Sequence, residues 1–244
     1  MKKDKTIGIL CAMDLECQLL KAHMRNPVCQ KAAGIELWCG VLEGVNVAVG
    51  VSGIGKVHAA ICTQVMIDHM GIDAIINTGI AGGVHPDLKV LDIVASTKAV
   101  QYDFDISSGS LDAVCGYVPG FGEPTVPTYF EADGKLLEIF RKVMEKNFPQ
   151  QNYLEGIIAT GDMFVADAEV KRTLWSRFHA YAAEMEGGAV AQTAVCNGLP
   201  FLILRAISDL AGEEAALTYE DFAQQAADHS AGILLSMLKH LTDF

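Results

Sequence analysis

Short, continuously apolar runs alternate with stretches of helical periodicity along the whole chain, and this alternation constrains the fold more than any other feature. Ala74-Ile75-Ile76 and Phe201-Leu202-Ile203-Leu204 offer no polar face, as strands covered on both sides require. Strand-like runs fall at 6–12, 35–42, 45–51, 74–78, 91–100, 155–159, 180–184 and 200–207. Helical patterns occupy 14–24, 56–69, 133–147, 167–176, 186–197 and 219–241. The pattern predicts a three-layer α/β/α sandwich around a largely parallel or mixed sheet. At 244 residues and 51% hydrophobic content the chain suffices for one domain, residues 1–244, with a substantial core.

Composition removes several function classes. A formal net charge of -12 repels a phosphate backbone, so no nucleic-acid partner is expected. Lys2, Lys3 and Lys5 form only a short solvated patch. The cysteines (11, 17, 29, 39, 62, 115 and 196) are odd in number and lack a C-x-x-C pair, which fits a reduced, cytoplasmic compartment. The histidines show no H-x-H or H-E-x-x-H spacing, so neither a metal nor a cofactor is expected. The apolar run Ile7–Ala12 ends at Asp14 and Glu16, reading as a first strand and not a signal peptide. No run approaches the roughly 20 apolar residues of a membrane span, so no membrane partner is expected.

One region breaks the rhythm. Residues 103–130 carry Gly, Pro and Ser punctuation, and Tyr102, Phe104, Tyr117, Phe121, Tyr129 and Phe130 look exposed. Such a loop suits a binding lid, a subunit contact or an irregular connection.

Two glycine-rich segments follow strand-like runs. Gly50-Val51-Ser52-Gly53-Ile54-Gly55-Lys56-Val57 nearly matches a phosphate-binding loop, but Val57 replaces the required hydroxyl. As a dinucleotide fingerprint it fails at His58, and as a nucleophile elbow it fails at Ile54. What remains is a turn whose backbone N–H groups can approach a ligand. Asn77-Thr78-Gly79-Ile80-Ala81-Gly82-Gly83 reads as a second such turn, and two at strand ends favour a pocket.

Three acids stand at strand ends: Glu16, Glu186 in Ala183-Glu184-Met185-Glu186-Gly187-Gly188, and Asp209 in Arg205-Ala206-Ile207-Ser208-Asp209. Ligands of open α/β sheets bind beyond the strand ends. Converging carboxylates suit a reaction that builds positive charge, with glycoside cleavage the leading candidate. Each acid also has a structural reading: Glu16 and Glu186 begin helices, and Arg205 is a candidate ion-pair partner for Asp209.

Taken together, Ile7–Glu16, Ser52–Lys56, Asn77–Gly83, Gly161-Asp162-Met163-Phe164-Val165, Ala183–Glu186 and Arg205–Asp209 resemble the 5'-methylthioadenosine/S-adenosylhomocysteine nucleosidases of the nucleoside phosphorylase/hydrolase superfamily, in order and nearly end to end. The resemblance implies a single nucleosidase domain, a central mixed sheet, and a homodimer that hydrolyses adenine nucleosides altered at the 5' position. It implies that Glu16 is the general base for water and Asp209 the general acid toward adenine N7. Glu186 and Met185 match ribose contacts, Phe164 the ring stacked on adenine, and Val165 the backbone that reads the base edge. Gly82, Arg205 and Ser208 fall at substrate-site positions, and Met13, Ile54 and Tyr219 match walls near the sugar and its 5' group. Ile80 stands where some relatives carry a serine, and Asp14-Leu15-Glu16 has one carboxylate fewer than the Glu-Glu-Glu of others. The 102–130 loop matches poorly, including Tyr117 and Pro124 as candidate contributions to a neighbouring subunit.

Chemically, an adenine leaving group requires an acid still protonated near neutral pH, while the water requires an ionised base. Glu186 as an anion would add a charge-assisted hydrogen bond to the ribose. Two other readings compete: a phosphate-dependent nucleoside phosphorylase, and a nucleoside-binding module without chemistry.

Overall fold

The computed structural model describes residues 5–109, 113–212 and 214–241, so Lys2 and Lys3 lie outside the described residues. Its strands are β1 Thr6–Cys11, β2 Arg25–Ala32, β3 Ile35–Leu42, β4 Val45–Val51, β5 Ala74–Gly83, β6 Ile93–Gln101, β7 Phe130–Glu131, β8 Tyr153–Thr160, β9 Ala180–Glu184 and β10 Phe201–Asp209. The helices are α1 Asp14–His23, α2 Lys56–Val65 (continued as a π-helical turn, Met66–Met70), α3 Gly134–Asn147, α4 Ala168–Phe178, α5 Gly187–Cys196 and α6 Ala215–Leu238.

The strands join in one mixed sheet in the order β10-β6-β8-β9-β5-β1-β4-β3-β2, with β7 added beside β6. β10 also pairs with β5, so β10, β6, β8, β9 and β5 close into a ring from which β1, β4, β3 and β2 extend. Alternation along β1 shows how the layers form: Ile7, Ile9 and Cys11 face one apolar cluster with Leu20, Phe140 and Leu234, while Leu10 faces the other with Cys62 and Val190. Helices α1, α3 and α6 thus cover one face, and α2 and α5 the other. Burying a large aliphatic side chain contributes about 1.5–3 kcal/mol, so these two clusters dominate stability.

Three segments differ from the sequence expectation. The Asn77–Gly83 segment is not a turn: it continues β5, paired with β10 as far as Gly82 and with β9 at Gly82 and Gly83. Its glycines serve close approach, because a side chain at Gly79 would collide with the Glu16 carboxylate. β2 escapes the apolar pattern because it is an exposed edge strand, irregular between Arg25 and Val28 around Pro27; edges tolerate both proline and polarity. The described residues of the 102–130 segment, 102–109 and 113–130, are folded against the protein and do not form an exposed lid. Tyr102 and Phe130 are buried, the other four aromatics are half-buried, and Phe121 meets Phe130 edge-on at 5.3 Å.

β10 ends in an irregularity that serves the site. Its register against β5 runs evenly to Ile207↔Ala81, then skips Ser208 so that Asp209 faces Gly82. Bulges of this kind re-aim side chains beside active sites.

Candidate active site

A cavity of about 490 Å³ opens where β1, β5, β9 and β10 end, a size suited to a small organic ligand. Of the twelve residues singled out, eleven line it: Met13, Glu16, Ile54, Gly82, Phe164, Val165, Met185, Glu186, Ser208, Asp209 and Tyr219. Arg205 does not. It is 1% exposed and lies behind the wall, and it does not pair with Asp209 as expected. Its Nη2 donates to Glu184 Oε2 (2.5 Å) and Asn77 Oδ1 (2.6 Å) and stands 3.8 Å from Glu186 Oε2. The reason is register: Arg205 faces Gly79 at mid-strand, four residues before the end where Asp209 projects.

Glu16 occupies the third position of α1, where it folds back over the helix start. Its Oε2 accepts the N–H groups of Ala12 (2.7 Å) and Met13 (2.9 Å), and its Oε1 that of Ile80 (3.1 Å). Burial raises its pKa, while the Arg205 charge and the three backbone donors pull it back. Three N–H donors hold the anionic form in a fixed orientation.

Asp209 is built differently. Its Oδ1 accepts the Ala211 N–H (2.8 Å) and its Oδ2 the Ser208 hydroxyl (2.9 Å). Burial raises its pKa, opposed by the Ala211 N–H, the Ser208 hydroxyl and the Lys171 charge. Lys171 is itself engaged, donating to the Leu210 carbonyl at 2.6 Å. A Cβ at Gly82 would stand 3.0 Å from Asp209 Oδ1, so glycine leaves this acid its space.

Glu186 is the N-cap residue of α5 and receives the Gly55 N–H on Oε1 at 2.9 Å. Burial, then the charge of Glu184, push its carboxyl up to about 8, against Arg205 and the Gly55 N–H. Its surroundings in the free site thus oppose the anion expected at this position. The neighbouring acid, Glu184, caps α5 instead: its Oε2 accepts the N–H groups of Glu186 (3.0 Å) and Gly187 (2.7 Å), and its Oε1 the Thr160 hydroxyl.

Glu184 is the functional residue that motif reading passed over. Its signal was available, an acid placed where the helix dipole favours one, but its partner Arg205 lies 21 residues away. Removing either member of such a buried pair costs about 3–5 kcal/mol by stranding the other charge. Met163, Ala216 and Glu220 complete the walls.

The Ser52–Lys56 turn also works otherwise than expected. Four of its five N–H groups go to the protein itself: Ser52 to Cys11 O, Gly53 to Ala12 O, Gly55 to Glu186 and Lys56 to Asp162. Gly55, at φ 100, makes the sharp entry to α2 that aims two successive amides at two carboxylates. The motif is a cradle of backbone N–H groups filled by the carboxyl groups of a glutamate and an aspartate side chain.

Charge defines what the cavity tolerates. Glu16, Glu184, Glu186, Asp209 and Glu220 line it, and no Lys, Arg or His does among the described residues. Phe164 and Tyr219 stand edge-to-face at 5.7 Å on the apolar side. An aromatic base against Phe164 and a sugar above Glu16 and Glu186 match this division.

The sequence profile of the phosphorylase superfamily matches residues 6–239. A 5'-methylthioadenosine/S-adenosylhomocysteine nucleosidase of Exiguobacterium sp. is 38% identical over 236 residues, covering 96% of this chain and 98% of its own length. The crystal structure of the Helicobacter pylori 5'-methylthioadenosine/S-adenosylhomocysteine nucleosidase, complexed with an aminopyrrolopyrimidine joined to a propynylthiomethyl pyrrolidinol, has a TM-score of 0.91 and 34% identity, covering 98% of this chain and 100% of that one. The futalosine hydrolase of Helicobacter pylori gives 0.90 and 33%, covering 98% and 99%.

Proposed function

Because the chain belongs to the phosphorylase superfamily and, within it, to the 5'-methylthioadenosine/S-adenosylhomocysteine nucleosidases, we propose that its cavity hydrolyses the N-glycosidic bond of 5'-methylthioadenosine and S-adenosylhomocysteine. The products are adenine and the corresponding 5'-thioribose, as methionine salvage and recycling of S-adenosylmethionine by-products require. Asp209 gives its proton to adenine N7 as the N9–C1' bond breaks, so the base leaves neutral. Glu16 takes a proton from the water whose oxygen bonds to C1', and its charge stabilises the cationic sugar. Glu186 and Met185 meet the ribose hydroxyls, and positive charge growing on the sugar favours the carboxylate form of Glu186. Phe164 stacks on the base and Val165 reads its edge. Gly82 and Ser208 border the acid, while Met13, Ile54 and Tyr219 enclose the 5' group. Arg205 acts from behind, through Glu184 and Glu186.

The observation that carries hydrolysis over phosphorolysis is a cavity wall with five acids and no cation among the described residues. Inorganic phosphate needs several cationic or N–H donors, and the Ser52, Gly53, Gly55 and Lys56 amides are already used. Incubation of methylthioadenosine with the protein is expected to yield adenine and methylthioribose at the same rate with and without phosphate. A sugar 1-phosphate product would replace this reading by phosphorylase; tight binding without adenine release would replace it by a binding module. Adding futalosine to the substrate panel ranks the related hydrolase activity.

A homodimer in the cytoplasm completes the proposal. Val57 (69% exposed) and Ile61 (45%) share a face of α2, one turn apart, with Val195 (41%) on the adjoining α5, a patch that a second copy would cover. All seven cysteines are free, which suits a reducing compartment. No helix among the described residues is long and apolar enough to cross a membrane. Sedimentation of Val57→Asp as a monomer beside a dimeric parent is the expected outcome.

A further inference from the structure

Lys56, the lysine of the phosphate-loop-like motif, has a structural assignment that the chemistry above leaves unused. It does not line the cavity. Its Nζ donates to Asp103 Oδ1 at 2.5 Å, in the chain leaving β6. The other oxygen of Asp103 accepts the Asp162 N–H at 2.9 Å, and Asp162 Oδ1 accepts the Lys56 N–H at 2.8 Å. Three residues from three distant segments therefore form a closed triangle. The lysine and aspartate side chains are only 16% and 30% exposed, so salt screens the pair less than a free surface bridge.

Asp162 precedes the residues that form the outer wall. Met163 and Phe164 are 45% and 46% exposed. The strap they belong to is fixed at its ends, where the Gly161 N–H donates to Glu184 O at 3.1 Å and Val165 is buried. Between those ends the strap is held by the Asp162 hydrogen bonds and by the edge-to-face contact of Phe164 with Tyr219. Without the Lys56 ammonium, Asp103 loses the charge that fixes its carboxylate, and with it the fixed acceptor of the Asp162 N–H.

We infer that Lys56 is a positioning residue for the 161–165 strap: the Lys56–Asp103–Asp162 triangle fixes where Phe164 and Val165 stand against the nucleoside base. The inference rests on the reading that this cavity binds an adenine nucleoside. It also turns the motif around, since a lysine that resembles a phosphate binder is spent on holding a wall in place.

Steady-state kinetics with methylthioadenosine, joined to amide hydrogen exchange, tests it. Lys56→Met is expected to raise KM about tenfold while kcat moves less than about threefold, because base binding suffers and the acids are untouched. Lys56→Arg is expected to restore KM to within about threefold. Asp103→Asn is expected to reproduce the KM rise, and the double variant to be no worse than the worse single one, as members of one unit behave. The Asp162 amide is expected to exchange faster in Lys56→Met without a general loss of protection. An unchanged KM with unchanged Asp162 exchange overturns the inference, and so do multiplying single effects. If Lys56→Met fails to fold, Asp103→Asn carries the same measurements. A parent protein that releases no adenine defeats the nucleosidase reading instead, and Asp162 exchange still decides whether Lys56 holds the strap.

Discussion

On the β1–α1 side of the cavity, Glu16 accepts three backbone N–H groups and shares its surroundings with the Arg205 charge. At the β10 end, Asp209 accepts one N–H and one hydroxyl, and the nearby Lys171 ammonium is engaged by a carbonyl. Both carboxyls are buried and both are raised. The difference lies in what opposes burial. Backbone donors cannot rotate away or change their charge, so the Glu16 cradle favours one protonation state permanently. A hydroxyl that donates to the Asp209 anion can turn to accept from the protonated acid, so this pocket leaves a place for the proton that the Glu16 cradle does not. In the proposed mechanism, two similar side chains thereby take opposite proton-transfer tasks within one cavity.

The largest expected effects attack this division directly. Asp209→Asn and Glu16→Gln are each expected to lower turnover of methylthioadenosine by about 10²–10⁴, the usual worth of a general acid or base. A methylthioribosyl substrate whose leaving group needs no proton, such as a nitrophenol, separates them. Asp209→Asn is expected to recover most activity on it and Glu16→Gln none; rescue of both, or of neither, would erase the distinction between the two sides.

A second measurement uses pH. A required proton on Asp209 means that kcat/KM falls as pH rises through that group's raised pKa, and the residual activity of Asp209→Asn is expected to lack this alkaline limb. An unaltered limb in the variant would assign the proton elsewhere.

Glu186 stands between the two sides, and stability reports on it. Its carboxyl is raised from 4.5 to about 8 in the fold. The folded state therefore binds the proton more tightly than the unfolded chain, and stability is lost as pH rises from the lower value to the higher. Glu186→Gln avoids that loss while keeping an acceptor for the Gly55 N–H. It is expected to melt higher than the parent by a gap that widens between pH 5 and 8 and then levels, roughly 2–4 °C for each kcal/mol in a chain of this size. Ribose recognition is expected to weaken in the same variant, with a raised KM. A gap independent of pH would mean that Glu186 carries no excess proton.

The smallest change concerns Ser208. Its hydroxyl bond favours the Asp209 anion, so Ser208→Ala is expected to move the alkaline limb upward while altering the maximal rate by no more than about threefold. Movement downward would show that the hydroxyl serves the protonated acid.

Much of this site was legible in the order of residue types. An acid after an apolar run marks a strand end, and strand ends of α/β sheets converge, which located Glu16, Glu186 and Asp209 without coordinates. The partners were not legible, because apolar periodicity says which face a residue joins and nothing of whom it meets there. Arg205 shows this: it stood as a candidate ion-pair partner for Asp209, but register placed it opposite Gly79, beside Glu184 and Asn77. The glycines of Asn77–Gly83 misled for a related reason. Glycine commonly signals a turn, yet here Gly79 and Gly82 clear space inside a strand for two carboxylates that arrive from elsewhere. β2, polar and interrupted by Pro27, carries no apolar signal because its side chains stay exposed.

The ring formed by β10, β6, β8, β9 and β5 also dictates an order of events during synthesis. β10 occupies the gap between β5 and β6, pairing Phe201 with Ile75 and Leu204 with Ala95, across more than a hundred residues of chain in each case. Contacts of such separation form late, and a chain made from its N-terminus has no β10 to insert until nearly all of it exists. Asp209 arrives with that last strand. A chain that ends before β10 lacks Asp209, the proton donor of the proposed mechanism, so the step that closes the sheet is also the step that would switch the site on.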